Sequence, residues 1–170
     1  SGTDIDEFVE IIVPNSYLGV NLKLLLYNGN GGVVYDTKTL SELTLGSSSA
    51  NYKIYSYTYS SGIQNGAPDG IALSDDNGVI EFLSYEGTFA ATDGPAIGLT
   101  SIDVGVAQTG DATNNPVGGS IQKTGVFGNY NWVVTQVNTK GIINTGQTLN
   151  EIYISGFEDL NVGNVSTYTV

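Results

Sequence analysis

Carboxylates are the chemically capable groups that this chain carries in number. Asp4, Asp6, Glu7 and Glu10 crowd its first ten residues, and Asp75-Asp76-Asn77-Gly78 sets two more side by side. Oxygen-rich groups of this kind suit Ca²⁺, which takes about six to eight oxygen ligands. The second group lacks the alternating D-x-D-x-D-G spacing and the distal Glu of an EF-hand loop, so it reads better as a hairpin turn between apolar strands. The first reads as a solvated strand edge that deters unwanted pairing, unless further carboxylates are brought to it.

Other chemistry is harder to find. The chain has no Cys and no His, which removes thiolate metal sites, cysteine nucleophiles and the usual base for a catalytic serine. Neither a G-x-S-x-G elbow nor a P-loop occurs. With 17 acidic residues some pair of carboxylates will always look like a glycosidase pair, so that signal is empty. A non-enzymatic role is expected. Tyr55, Tyr57 and Tyr59 alternate onto one face, where they could stack on sugars; covering a core or forming cross-strand ladders is the preferred reading. Asn164-Val165-Ser166 matches a glycosylation sequon, a pattern short enough to arise by chance.

Charge narrows the partners. Five lysines (Lys23, Lys38, Lys53, Lys123, Lys140) face those acids, no arginine is present, and the net charge is −12. Nucleic acid and anionic membranes are repelled, and no guanidinium is available to fork onto a phosphate. No apolar run approaches the ~20 residues that cross a bilayer, so membrane insertion is not expected. The opening Ser1-Gly2-Thr3-Asp4, in place of a Met and a leader, suggests a processed chain. Together with the acidic, Gly/Asn/Ser/Thr-rich composition it points to a secreted, extracellular or cell-surface protein.

The elements that would position these groups are strands. Val9, Ile11 and Val13 alternate, as do Leu22, Leu24 and Leu26, and no stretch holds a helical period. Apolar segments at 53–59, 71–73, 79–83, 102–107, 120–124, 131–138 and 151–155 follow. Between them lie Asn28-Gly29-Asn30-Gly31-Gly32, Asn65-Gly66, Asp69-Gly70, Asn77-Gly78 and Asp93-Gly94-Pro95, turn signals that supply positive φ. One short helical turn is expected around 39–45. Short strands at such spacing predict an all-β sandwich or barrel in one domain.

The stretch Asn65-Gly66-Ala67-Pro68-Asp69-Gly70-Ile71-Ala72-Leu73 is followed by Phe82-Leu83-Ser84-Tyr85-Glu86-Gly87. Next come Ala91-Thr92-Asp93-Gly94-Pro95-Ala96, Gly98-Leu99-Thr100-Ser101 and Asp103-Val104-Gly105-Val106. Together these closely resemble the bacterial lamin-tail domain. Glu7-Phe8-Val9-Glu10-Ile11, Leu26-Tyr27-Asn28-Gly29-Asn30-Gly31, Ser120-Ile121-Gln122-Lys123-Thr124-Gly125, Trp132 and Asn144-Thr145-Gly146-Gln147 extend the resemblance in consistent order over about 4–147. It implies an immunoglobulin-like β-sandwich over 1–148, used as an adhesive, anchoring or assembly module. It brings no catalytic residues.

The resemblance has one gap. Family members usually open with a strand reading roughly I-N-E-V-D-Y, and here the chain begins at the turn that follows it. A comparable segment stands at the other end: Leu149-Asn150-Glu151-Ile152-Tyr153-Ile154, then Ser155-Gly156-Phe157-Glu158-Asp159. Three arrangements fill the gap. Segment 149–170 folds back in cis, inserts into the next molecule, or belongs to a tandem array. Insertion in trans makes Leu149, Ile152, Ile154 and Phe157 the donor-strand residues and gives head-to-tail polymers of the chain with itself. It also gathers Asp4, Asp6, Glu7, Glu158 and Asp159 at a junction where Ca²⁺ is the natural counter-ion. The leading expectation is a filament, sheath or surface-layer subunit. The alternative is a secreted adhesive module for carbohydrate or another surface partner, with contacts on the Tyr-rich strands or the 86–100 loop.

Overall fold

A computed structural model of the chain describes residues 7–64, 66–108, 118–135 and 137–149. Its regular structure is strand, apart from one 3-10 turn at Leu40–Glu42. In chain order the strands are β1 (Glu7–Pro14), β2 (Lys23–Asn28), β3 (Val33–Thr39), β4 (Thr44–Ser48), β5 (Tyr52–Tyr59), β6 (Asp69–Asp75), β7 (Gly78–Tyr85), β8 (Ile102–Asp103), β9 (Ser120–Val126), β10 (Asn129–Thr135) and β11 (Gln147–Thr148). They form a five-stranded sheet in the order β3-β2-β6-β7-β8 and two three-stranded sheets, β1-β5-β4 and β10-β9-β11. Pairing is antiparallel except for β7 with β8 and β9 with β11. The all-β, sandwich-like expectation is met. Among the described residues no helix is long and apolar enough to cross a membrane.

Alternation builds the core. Val9, Ile11 and Val13 of β1 face Leu24 and Leu26 of β2, Ile71 and Leu73 of β6 and Leu83 of β7 across one buried cluster. Each fully buried side chain of this kind contributes about 1.5–3 kcal/mol. The sheet of β9, β10 and β11 packs against the same core. Its Lys123 pairs with Glu81 of β7 at 2.9 Å and lies over the Trp132 ring, which packs against the core.

The five-stranded sheet is buried on its other face too. There Leu25, Tyr27, Ala72 and Phe82 lie under Phe89, Ala91 and Ala96 of the segment after β7. Tyr27 fixes that cover: its hydroxyl donates to the Asp93 carbonyl at 3.2 Å and accepts from the Ala96 N–H at 3.1 Å. A sheet covered on both sides explains why Leu24, Leu25 and Leu26 run on without a polar break.

Two turn signals behave differently from each other. Asp75 pairs with Gly78, so Asp76-Asn77 is a two-residue hairpin, and Asp75 accepts the Asn77 N–H at 2.7 Å and the Tyr17 hydroxyl at 2.6 Å. Asp69-Gly70, expected as a turn, instead opens β6. The Asp69 carboxylate is buried and accepts N–H bonds at 2.9 Å from both Gly29 and Gly66, tying two loops to the strand. Gly70 is there for space, since a Cβ would come within 2.6 Å of the Leu83 carbonyl and 2.9 Å of the Phe89 ring.

Candidate functional site: the open edge of the first strand

β1 stands at the end of its sheet, with β5 on one side and no strand among the described residues on the other. An edge strand normally keeps one face wet. β1 does not. Phe8 through Val13 are all buried: Val9, Ile11 and Val13 on the core side, and Phe8, Glu10 and Ile12 on the opposite face. A strand packed on both faces yet bordered on one edge has the surroundings of an interior strand without a second neighbour among the described residues.

The outer face of this sheet is covered by the segment between β10 and β11. The Gly141 N–H donates to the Glu10 carboxylate, and the Gly141 carbonyl accepts from the Ser47 N–H at 2.7 Å. Gly46 and Gly141 meet so closely that a Cβ on Gly46 would fall 2.5 Å from the Gly141 carbonyl oxygen. Lys140 lies over the Phe8 ring and donates to Thr58. Asn144 anchors the far end of this strap: it accepts from Thr139 Oγ1 at 2.6 Å and donates to the Lys123 carbonyl at 3.1 Å.

Glu10 is only 2 % exposed. Burial pushes its carboxyl up to about 7, against the opposing pull of the Gly141 N–H and the nearby Lys140 ammonium. The solvated acidic edge expected for this residue is therefore corrected. Its sheet position opposite Ser56 turns it under the strap, and sequence alternation alone could not tell which face the strap would cover. Glu7, expected among junction ligands, is half-buried at the start of β1 and accepts the Ile63 N–H.

Other expected site residues are only partly in view. Leu149 follows β11 and is half-buried. Ile152, Ile154, Phe157, Glu158, Asp159, Asp4 and Asp6 lie outside the described residues. Tyr55, Tyr57 and Tyr59 oppose Ile11, Val9 and Glu7 and pack on the core cluster, with Tyr57 and Tyr59 ring centroids 4.8 Å apart. The row thus covers a core, as preferred. Among the described residues no group of three or more acidic side chains could hold a metal ion. Comparison with protein-family models, with curated proteins and with solved structures gives no match.

Proposed function

We propose that the chain is a non-enzymatic extracellular assembly module, immunoglobulin-like and of lamin-tail type, whose copies join head to tail by strand addition at the outer edge of β1. The observation that carries this reading is the burial of β1 on both faces while its outer edge has no partner among the described residues. An added strand satisfies the backbone groups of such an edge through main-chain bonds, and alternate side chains give it specificity. The segment from Leu149 onward is the donor, with Ile152, Ile154 and Phe157 as its apolar residues. A junction built this way sets Glu158 and Asp159 against Asp4, Asp6 and Glu7, and Ca²⁺ relieves the repulsion there. Heterologous contacts of this kind close into rings or extend into filaments.

The test is the mass of the full chain by light scattering, with and without Ca²⁺, beside a chain ending at Leu149. The cut belongs after Leu149, because β11 pairs with β9 and forms part of the sandwich. Polymers in the full chain that vanish on truncation, leaving a folded monomer, are the expected result. A full chain that stays monomeric throughout, with a truncated form that unfolds, would show that the tail completes its own sandwich. A second reading, a monomeric adhesive module, is favoured by Ile97, Leu99 and Ile102, which stand exposed on and beside the 86–100 loop.

A further inference from the structure

A cleft of about 530 Å³ opens where β1 runs into the loop before β2, beside the 3-10 turn. Its lining includes Tyr17, Leu22 and Leu40 together with Tyr55, and two of the five lysines, Lys23 and Lys53. That volume falls in the range of small-molecule sites.

The distribution of positive charge singles this cleft out. Lys38 is paired with Asp36 at 2.9 Å and Lys123 with Glu81 at 2.9 Å, while Lys140 is held between Thr58, the Phe8 ring and the Glu10 carboxylate. Lys23 and Lys53 have no ion-pair partner among the described residues, and both line this cleft. In a chain of net charge −12, two ammonium groups without an ion pair at one place favour a bound anion, although Asp75 and Asp76 stand close behind Tyr17 and Asn21.

The neighbouring polar side chains are already engaged, which fixes the shape of the cleft. Asn15 donates to the Ser49 and Ala50 carbonyls at 3.0 and 2.8 Å, Asn21 to Asp76 at 2.7 Å and Tyr17 to Asp75 at 2.6 Å. Thr39 and Ser41 share a bond at 3.0 Å, and Thr39 also donates to Glu42. Charge recognition therefore falls to Lys23 and Lys53, and the apolar and aromatic lining accommodates an uncharged ring.

We infer that this cleft binds a carboxylate-bearing sugar residue, a uronate of an acidic polysaccharide. Two separate ammonium groups act as point charges, which suits a singly charged carboxylate carried on a sugar ring. The forked or nested donors typical of phosphate sites are absent from the described lining. The large negative net charge excludes a densely charged polyanion but leaves room for one carboxylate at a time. This inference does not rest on head-to-tail assembly, and a monomer would serve it equally.

The experiment is ligand-observed NMR on the full chain at low ionic strength, with digalacturonate, the neutral digalactose and inorganic phosphate as probes. Digalacturonate should show saturation transfer that weakens as salt is raised; digalactose should show none, and phosphate should not displace the uronate. Lys23→Gln and Lys53→Gln should each weaken binding by roughly two- to fivefold. Lys140→Gln removes the same charge from the opposite face of the sheet and should leave binding unchanged. Lys53 is exposed and Lys23 half-buried, and unchanged thermal unfolding of the variants confirms that the fold is intact. Equal binding of the neutral sugar, full displacement by phosphate, or equal weakening by Lys140→Gln would each overturn the inference.

Discussion

Glu10 is the residue on which acidity should act most directly. A carboxyl whose folded pKa lies above its unfolded value favours the fold while protonated. Its stabilising contribution is complete below about 4.5 and is lost as the pH rises to about 7. Glu10→Gln removes this loss and retains an acceptor for the Gly141 N–H. The variant should be more stable than the parent at pH 8, by on the order of 2–3 kcal/mol, and close to it at pH 4.5. Urea denaturation at the two pH values checks the sign; an equal gain at both would place the effect elsewhere. Gly70→Ala probes a different constraint, and crowding against Leu83 and Phe89 should cost about 1–3 kcal/mol in the same assay. At this scale the sequence is least transparent. Glu10 alternates with apolar neighbours as a surface residue would, and Asp69-Gly70 has the composition of a turn. Only the strap over one and the aromatic cover over the other reverse those readings, and both covers come from segments distant in sequence.

Among the elements, β1 and its strap carry the functional argument. If the outer edge of β1 receives a strand, alternate amides of Glu7–Pro14 should exchange with deuterium quickly in the chain ending at Leu149 and become protected in the full chain once polymers form. Strong protection that is equal in both forms would mean that β1 has a partner within residues 1–149. The strands themselves were largely legible: the alternation at 9–13, 22–26 and 53–59 predicts β1, β2 and β5, and Asn77-Gly78 marks the β6–β7 hairpin. β3 and β4 were not, because Val33–Thr39 mixes Asp36 and Lys38 into its run and Thr44–Ser48 is mostly exposed. Their pairing depends on the neighbours β2 and β5, a tertiary effect that overrides weak local pattern. The helical turn expected around 39–45 is the 3-10 turn Leu40–Glu42, where Glu42 reaches back to the Thr39 N–H at 2.7 Å.

For the molecule as a whole, repulsion among its acidic groups opposes folding. Burial also raises the carboxyls of Asp69 and Glu81 above their ordinary range, adding to the effect of Glu10. Contributions of this sign are present at low pH and fade as pH rises through the raised values. The parent chain should thus melt higher near pH 5 than near pH 8. At pH 8, raising NaCl from low to physiological strength and beyond should raise the midpoint by a few degrees as screening takes hold. Scanning calorimetry across pH and salt gives both answers, and a midpoint that falls with added salt at pH 8 would contradict the charge argument. Net charge and the all-β, sandwich-like class could be read from composition and spacing. The cleft could not, since Lys23 and Lys53 come together only through the packing of β1, β2 and β5.

The contact between Glu10 and Gly141 joins residues 131 apart in the chain. Closing so long a loop is slow, and the contact rewards the chain only after β9 and β10 have formed. During synthesis, β1 therefore waits for more than a hundred further residues before its outer face is covered. Topology thus makes β1 one of the last described strands to be covered on both faces. Until Gly141 reaches Glu10, the outer face of β1 lacks its cover.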